Sequence, residues 1–535
     1  RLGVRSQEIG SFFCLNFFLQ PTFTLRMGNT LRLILGDQLN AHHSWFSTVN
    51  NHITFVMIES REEGSYAPHH IQKVTGIFSA MRQFAQSLQS LGHHFHYHNI
   101  LDGNEPNLRT ILASIARKKG VVKIEMQEPD EWRLREDLEK LRGEGFEISW
   151  CSSEHFISSN AEFRGLFEGK KTFLMETFYR ALRKRTGLLM DGKQPVGGKW
   201  NYDAQNRKKL PKDHLPPPPF VPSTDVSKAY ADAIAAKLPT IGKLEDPSHF
   251  YWPTTPSQAW EIFDHWLQYG LHSFGDYQDA LTTKSWSLYH SRISFALNTK
   301  MIQPLEVCQR VETYYRTNPE VPLNAVEGFI RQILGWREFM RCVYWHRMPE
   351  FASENFFEFD RKLPQWFWNG ETKMKCLSHT IGQSLNHGYA HHIQRLMVTG
   401  NFALLAGIDP DEVDLWYLGI YIDAFEWVEI TNTRGMSQYA DGGWIATKPY
   451  VSSANYMKKM GDYCDQCHYN PKTKTDDDSC PFNALYWNFF DSQRDKLHSN
   501  FRLGMVYRTY DKMNATVKAG IREKAQSLLN NINEL

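Results

Sequence analysis

Three cysteines near the C-terminus are spaced for a metal centre. Cys464 and Cys467 form a C-x2-C pair, and Cys480 follows after twelve intervening residues, directly before a proline. This spacing predicts either a zinc site, with the adjacent His468 as a candidate ligand, or a four-iron cluster held by a further thiolate. Cys376, far upstream in a helical region, is the candidate fourth ligand.

Three histidines form a second group that could do chemistry. His387, His391 and His392 lie within Ser378–Thr399, whose apolar period predicts a helix. His387 and His391 are four residues apart and would share a helix face, as in zinc helices, but the glutamate that a zinc protease needs is missing. A neutral histidine in a closed pocket can instead act as a general acid.

A third group combines hydroxyls with aromatic planes. Ser285–Ser294 offers hydroxyl and amide groups suited to a phosphate. Trp336–Phe339 and Trp366–Trp368 add flat rings, and the dense aromatics of Trp416–Trp427 could pass electrons to a buried acceptor. The chain has 16 Trp, 23 Tyr and 34 Phe, so ordinary core packing is the competing interpretation.

The elements that would position these groups fall into two classes. Strands and helices alternate in the N-terminal part: strands at Thr30–Leu35, Ile53–Ile58, Phe95–Ile100, Val121–Met126 and Phe146–Trp150, and helices at His70–Leu91, Leu108–Lys118 and Glu131–Arg142. This alternation predicts an α/β domain with a doubly wound parallel sheet. Beyond Ser257 the period is helical, which predicts a large all-α C-terminal domain.

Composition changes divide the chain into four parts. We expect a non-native or upstream leader at 1–26, an α/β domain at 27–160, a Pro-rich and basic interdomain connector at 161–253, and a helical domain at 254–535.

The charge balance and apolar content exclude several classes of protein. Lys plus Arg number 60 against 59 Asp plus Glu, so a nucleic-acid surface would have to be a local patch. No run of 18 apolar residues could span a bilayer. Eight cysteines in 535 residues are too sparse for a disulfide framework, so we expect a reducing, cytoplasmic location, and we expect a monomer.

Several motifs together resemble the cryptochrome/photolyase family. Phe274–Pro304 is similar to that family's flavin-binding segment, and Gly328–Arg341 is similar to its RQ-x3-WREF helix. Five further features resemble one branch of the family, the bacterial iron–sulfur or prokaryotic (6-4) photolyases. They are Gly36–Leu39, Asn386–Val398, Trp416–Glu429, Asn432–Gly443 and the clustered cysteines. The resemblance covers the chain from Met27 onwards.

The resemblance implies three cofactors. FAD would lie in the helical domain, a [4Fe–4S] cluster nearby, and a 6,7-dimethyl-8-ribityllumazine antenna in the α/β domain, although folate and deazaflavin pockets are hard to tell apart from it by sequence. The implied cluster ligands are Cys376, Cys464, Cys467 and Cys480. The implied FAD residues are Tyr277, His290, Ser291, Ile293, Ser294, Arg337 and Asp423, and the implied antenna residues are Gly36, Asp37, Glu63, Tyr66 and Lys73.

The implied function is light-driven repair of pyrimidine–pyrimidone (6-4) photoproducts in UV-damaged DNA. His392 would be the acid–base histidine, with His391 as the second candidate, and Asp423 would face the reactive part of the flavin. Trp416 and Tyr417 would begin the photoreduction chain, whose end stays open. The expected DNA contacts are Lys199, Arg207, Lys208, Tyr450 and Tyr456.

Three other functions stay open on the sequence alone. A blue-light signalling cryptochrome would keep the same cofactors, and cyclobutane-dimer repair would need no acid histidine. An iron–sulfur DNA-binding module without photochemistry would explain the cysteines but not Phe274–Pro304.

Overall fold

A computed structural model describes residues 29–170 and 172–535, so the leader predicted at 1–26 lies outside the described residues. The N-terminal part contains a five-stranded sheet in which every pairing is parallel, in the order β3-β2-β1-β4-β5. Its elements are β1 (Thr30–Leu33), β2 (Ile53–Ile58), α1 (Ile71–Ser90), β3 (Phe95–His98), α2 (Leu108–Lys119), β4 (Lys123–Gln127), α3 (Trp132–Glu139) and β5 (Glu147–Cys151). The predicted doubly wound α/β fold is confirmed.

Strand β2 explains why this sheet has helices on both faces. Phe55 and Met57 pack into one hydrophobic cluster, whereas Val56 and Ile58 pack into another on the opposite side. Because successive side chains point to opposite faces, an unbroken apolar strand such as ITFVMI must be covered on both sides.

The stretch predicted as a connector contains regular elements. They are α4 (Asn160–Phe167), α5 (Met175–Thr186), the two short strands β6 (Met190–Asp191) and β7 (Gln194–Pro195), and α6 (Ser227–Ala235). Local sequence sets the helix ends: Ser159 and Glu162 form a capping box at the start of α4, and Gly187 ends α5 with φ of 75°.

The C-terminal part is helical, as predicted. Its helices are α7 (Pro256–Tyr269), α8 (Leu271–Tyr277), α9 (Ser294–Asn298), α10 (Pro304–Thr317), α11 (Leu323–Ile330), α12 (Glu338–Arg347), α13 (Lys375–His387), α14 (His392–Gln394), α15 (Asn401–Ala406), α16 (Pro410–Ile420), α17 (Glu426–Ile430), α18 (Ala454–Met460), α19 (Pro481–Ser492), α20 (Arg494–Leu497), α21 (Gly504–Asp511) and α22 (Ala515–Asn530). Among the described helices, none is both long and apolar enough to cross a membrane.

Three π-helical turns interrupt this helical part. They span Arg331–Arg337 between α11 and α12, Arg395–Gly400 between α14 and α15, and Thr431–Ser437 after α17. Turns of this kind are frequent at functional sites. The second and third meet closely, since a Cβ atom added to Gly400 would overlap the hydroxyl of Ser437.

Buried polar contacts join the α/β part to the helical part. The Lys300 ammonium, before α10, lies 3.2 Å from the Asp37 carboxylate and 2.6 Å from that of Asp130. His70 accepts a hydrogen bond from the Gln72 amide at the start of α1, and its Nε2 lies 2.9 Å from the carbonyl of Leu385 on α13. The ends of the β-strands are therefore anchored against the helices.

Candidate functional site

Four cysteines from three parts of the chain line one small cavity. Cys376 lies in the first turn of α13, Cys464 and Cys467 belong to a tight turn after α18, and Cys480 caps α19. Burial raises the pKa of the Cys464 thiol to about 11 and that of Cys480 to about 12, and the thiols also repel one another's charge. The predicted ligands are thus brought together. A bound group that withdraws charge from the thiolates would offset both the burial of their charge and the repulsion between them.

The cysteines surround a space instead of converging on a point. Among residues 29–170 and 172–535, no three His, Cys, Asp or Glu side chains are gathered closely enough to hold one metal ion. A tetrahedral zinc ion with bonds of about 2.3 Å would draw four sulfurs to about 3.8 Å from one another. The four thiols therefore line a cavity at the place where the sequence predicts either zinc or a four-iron cluster.

The single helix predicted over Ser378–Thr399 is wrong. Helix α13 ends at His387, because Gly388 adopts φ of 62° and turns the chain away before α14 begins at His392. His387 and His391 therefore do not share a helix face. His387 stacks on Trp286 with ring centroids 4.5 Å apart, whereas His391 stacks on His290 at 4.8 Å.

The exposure of His392 and its lowered pKa together indicate an internal opening in the helical part. The His392 side chain is accessible, yet protein surrounds it so closely that burial, aided by the charge of Arg395, lowers its pKa to about 4. Burial also lowers the pKa of His290 to about 4. Both imidazoles are therefore neutral at pH 7, and His290 also lines a cavity beside Arg292.

A charged group next to this opening joins two of the predicted motifs. The Ser294 hydroxyl donates to the Asp423 carboxylate at 2.6 Å, and the Arg395 guanidinium contacts the same carboxylate at 2.9 Å. The Asn298 amide donates to the Asp423 carbonyl at 2.8 Å. The structure thus places the flavin candidate Ser294 beside the catalytic candidate Asp423, with Arg395 and Asn298 as partners that the sequence analysis missed.

Arg292 is a second cation that the sequence analysis missed. It is 95% buried and donates to the backbone carbonyls of Phe220 and Tyr251, and in the described part of the chain no carboxylate lies within 4 Å of it. Burial lowers its pKa to about 10. It borders a cavity formed by 217–220, 287–292 and Trp266, where a phosphate anion would supply the missing counter-charge. Its position within the run Ser285–Ser294 was the available sequence signal.

The other flavin candidates lie at different distances from this centre. Ile293 is buried directly before α9, and Ser291 is half-buried beside Arg292. Tyr277 stacks on Tyr289 at 5.8 Å. Arg337 is buried elsewhere, because its guanidinium donates to the Leu297 carbonyl at 3.2 Å, lies 3.0 Å from the His155 ring nitrogen and packs over Trp427.

The antenna candidates lie between the two parts of the chain, in separate subgroups. The Glu63 carboxylate pairs with Arg133 at 2.7 Å, and the Arg133 guanidinium lies 4.3 Å from the Tyr66 ring centre. The Lys73 ammonium donates to the Leu418 carbonyl at 2.9 Å, and burial lowers its pKa to about 8.

The other two antenna candidates have protein neighbours. Asp37 is held by Lys300, and Gly36 packs against the side chains of Ile77 and Met81 on α1. The sequence analysis did not single out Arg133, which links Glu63 to Tyr66.

The aromatic candidates for electron transfer form a contiguous row. Tyr421 lies under the Arg395 guanidinium at 3.8 Å and contacts Tyr417 with ring centres 5.5 Å apart. Tyr417 contacts Trp416 at 5.3 Å, and Trp416 contacts Phe367 at 5.2 Å. The row leads from the Asp423 group toward Trp366, which stacks on Phe367.

Three of the expected DNA-contacting residues, Arg207, Tyr450 and Tyr456, lie near one another. Arg207 pairs with Asp203, and Lys208 pairs with Asp276 at 2.8 Å. Tyr450 and Tyr456 are half-buried, and the charge of Arg207 acts on both phenols.

Lys199 is exposed on the stretch between β7 and α6. Asp279, which the sequence analysis missed, lies close to Tyr456, and burial raises its pKa to about 6.

Comparisons with known proteins agree with this arrangement. Residues 32–249 match the family model described as deoxyribodipyrimidine photo-lyase-related protein. The chain is 44% identical over 507 residues to the (6-4) photolyase of Agrobacterium fabrum, covering 93% of this chain and 99% of that protein.

Two solved structures share the fold. The crystal structure of a bacterial class III photolyase from Agrobacterium tumefaciens matches with a TM-score of 0.56 at 16% identity, over 81% of this chain and 84% of that one. A cryptochrome from Synechocystis matches with a TM-score of 0.53 at 14% identity, over 88% of this chain and 94% of that one.

Proposed function

This chain belongs to the cryptochrome/photolyase family, and we propose that it repairs (6-4) photoproducts in UV-damaged DNA with the energy of light. The observation that carries the proposal is the accessible His392 beside Arg395 and the Asp423 group, in a chain 44% identical to a (6-4) photolyase.

The residues at the opening beside His392 fit FAD. Arg292 is a buried cation without a carboxylate partner among the described residues and suits the pyrophosphate, while Ser294, Asp423 and Arg395 provide polar contacts for the ring end. When bound, FAD supplies an electron donor that light activates. Asp423 holds Arg395 in place and so fixes the charge beside His392.

We assign the proton transfer to His392. With its pKa lowered to about 4, the imidazole is neutral at pH 7 and can offer a ring N–H to an oxygen or nitrogen of the lesion without a net positive charge in the pocket. The lesion takes this proton only after it has gained an electron and become more basic; the Arg395 charge stabilises the resulting imidazolate until the repaired lesion returns the proton. His391 has a different task, because its ring is stacked on His290 and its backbone amide donates to Gln394.

The remaining cofactors would be held by residues already described. The cavity of Cys376, Cys464, Cys467 and Cys480 would hold a [4Fe–4S] cluster. Glu63, Tyr66 and Lys73, with Arg133, lie where a lumazine antenna would meet both parts of the chain.

We propose that DNA binds around the mouth of the opening. Arg207, Lys208 and Lys199 would contact phosphates, and Tyr450 and Tyr456 would occupy the gap left by the extruded lesion. Damage weakens stacking, so extrusion of the lesion costs only a few kcal/mol.

An absorption spectrum and a repair assay test the proposal. The purified protein should show flavin bands with a broad iron–sulfur shoulder, and illumination should restore intact bases in a (6-4) oligonucleotide but not in a matched cyclobutane-dimer oligonucleotide. Repair of the cyclobutane dimer alone would show that the substrate is the cyclobutane dimer and not the (6-4) photoproduct. Cofactor bands without any repair would replace the enzyme with a light-signalling cryptochrome.

A further inference from the structure

The start of α21 presents an exposed apolar and basic edge that the proposed function does not use. We define this edge as Phe501, Arg502, Met505 and Arg508. Phe501 is 84% exposed and Met505 is 71% exposed, among the most exposed large apolar side chains of the described chain. Met505 and Arg508 share a helix face, while Tyr507 and Tyr510 are buried on the other side.

Phe501 and Arg502 form an exposed stacked pair. The Arg502 guanidinium lies 5.1 Å from the centre of the Phe501 ring. An exposed ring covered on one side by a guanidinium offers its other face to a flat partner, and nucleic-acid bases are the partners that such pairs accept.

The cations of this edge have no acidic partners. In the described part of the chain, no carboxylate lies within 4 Å of Arg502, Arg508 or the nearby Lys448, whereas surrounding cations are paired, such as Arg494 with Asp511 and Lys496 with Glu358. Unpaired cations next to exposed apolar groups suit an anionic polymer better than a second protein surface.

The edge adjoins the segment that carries Tyr450, one of the proposed DNA contacts. The Asn500 side-chain amide donates to the Thr447 carbonyl at 3.0 Å, which joins the edge to the loop that carries Tyr450. Burial raises the pKa of Tyr450, and the charges of Arg207 and Arg502 both oppose that rise, so both cations lie near the phenol.

The same row of contacts continues inward to the histidines. The charges of Arg207 and Asp279 both affect the pKa of Tyr456, so the two side chains lie near its phenol. The carbonyl of Gln278, next to Asp279, lies 3.1 Å from the His290 ring. His290 in turn stacks on His391.

We propose that this edge is a further DNA contact, in which Phe501 stacks on a base of the duplex next to the extruded lesion while Arg502, Arg508 and Lys448 bind phosphates. The inference rests on the proposed function, because it takes damaged duplex DNA as the ligand. Its contribution is to hold the duplex beside the mouth, so it affects binding and leaves the chemistry at His392 unchanged.

Binding in the dark to a fluorescent duplex with one (6-4) lesion tests the contact. Phe501→Ala should weaken binding at least about fivefold, and Phe501→Tyr, which keeps a ring, should bind like the unaltered protein. Leu91→Ala is the matched control, since Leu91 is 67% exposed on the α/β part. Arg502→Gln should reduce the slope of log affinity against log salt concentration by about 1, as expected for the loss of one phosphate contact. Lys119→Gln, at the C-terminal end of α2, should leave this slope unchanged.

The outcomes separate this inference from the function on which it rests. If the unaltered protein binds and repairs the lesion but Phe501→Ala binds equally well, the edge is not a DNA contact. Sedimentation gives a second test: a dimer that Phe501→Ala dissociates, with DNA binding unchanged, would assign the edge to self-association and overturn the proposal. If the unaltered protein neither binds nor repairs the lesion, the proposed function itself fails.

Discussion

At the scale of single residues, His392 combines two properties that are rarely found together. Its imidazole is accessible, yet its surroundings lower its pKa to about 4. A histidine on the outer surface would keep its ordinary pKa, and one in a filled core would not be accessible, so an enclosed space accounts for both.

Replacement of His392 tests its part in proton transfer. His392→Ala should lower the rate of repair by at least about 100-fold, which is the lower limit for a general acid, and should leave FAD bound because Arg292 and Asp423 are intact. His94→Ala is the matched control, since His94 is an exposed histidine of the α/β part. Single-turnover repair under saturating light measures both. Repair by His392→Ala at the unaltered rate would show that the proton comes from another group.

The cysteine cavity gives a second prediction at this scale. Cys376→Ala should lose most of the bound iron, because three thiolates leave one corner of a cluster without a protein ligand. Cys308→Ala should keep its iron, since Cys308 is equally buried but lies outside the cavity. Colorimetric iron analysis of the folded proteins measures the difference. A full iron content in Cys376→Ala would exclude Cys376 as a ligand.

At the scale of elements, one hydrogen-bonded bridge connects the cysteine turn with the histidine turn. Tyr463 directly precedes Cys464, and its buried hydroxyl accepts a hydrogen bond from the Gln394 side chain at 3.0 Å. The Gln394 side chain also accepts from the backbone amide of His391 and so holds the start of α14. A displacement of the cysteine turn would therefore reach the residues beside His392.

Removing the Tyr463 hydroxyl tests whether this bridge positions the residues beside His392 independently of metal binding by the cysteines. Tyr463→Phe should lower the free energy of unfolding by about 1 kcal/mol and slow repair, while the iron content stays unchanged. Tyr469→Phe serves as the control, because Tyr469 lines the same cavity but makes no contact with Gln394. Urea unfolding with iron analysis provides the measurement. An unchanged repair rate would show that the bridge is dispensable for positioning.

Sequence reasoning succeeded where a pattern is local and failed where tertiary contacts decide. The unbroken apolar run of β2 and the helical apolar period of α1 can be read directly from the chain, and the structure has both elements. The break at Gly388 was missed because the apolar period continues through it. Arg395 was missed because its partners, Asp423 and Tyr421, are more than twenty residues away.

At the scale of the whole molecule, the two parts of the chain meet through polar groups that depend on their protonation. His70 caps α1 through one ring nitrogen and contacts Leu385 of the helical part through the other. Burial lowers its pKa to about 4. Protonation of the capping nitrogen would remove the acceptor that the Gln72 amide uses.

His70 therefore makes stability depend on pH in a defined direction. Between pH 6.5 and 4 the unfolded chain binds a proton at this residue that the folded chain does not, so the free energy of unfolding falls as the pH falls through this range. His70→Asn keeps a capping oxygen but does not titrate, so it should reduce this fall by up to about 3 kcal/mol. Urea unfolding at pH 4.5 and 7 measures the change, and an identical pH dependence in both proteins would contradict it.

The three π-helical turns have a consequence for the ancestry of the chain. A π turn closes each hydrogen bond over one more residue than an α-helix does, so a relative with regular α-helix at 331–337, 395–400 or 431–437 should show a single-position gap there. Each such gap would rotate everything on the following helix by about 100°. In relatives that keep the same light-dependent chemistry, we therefore expect these gaps to be as rare as replacements of His392.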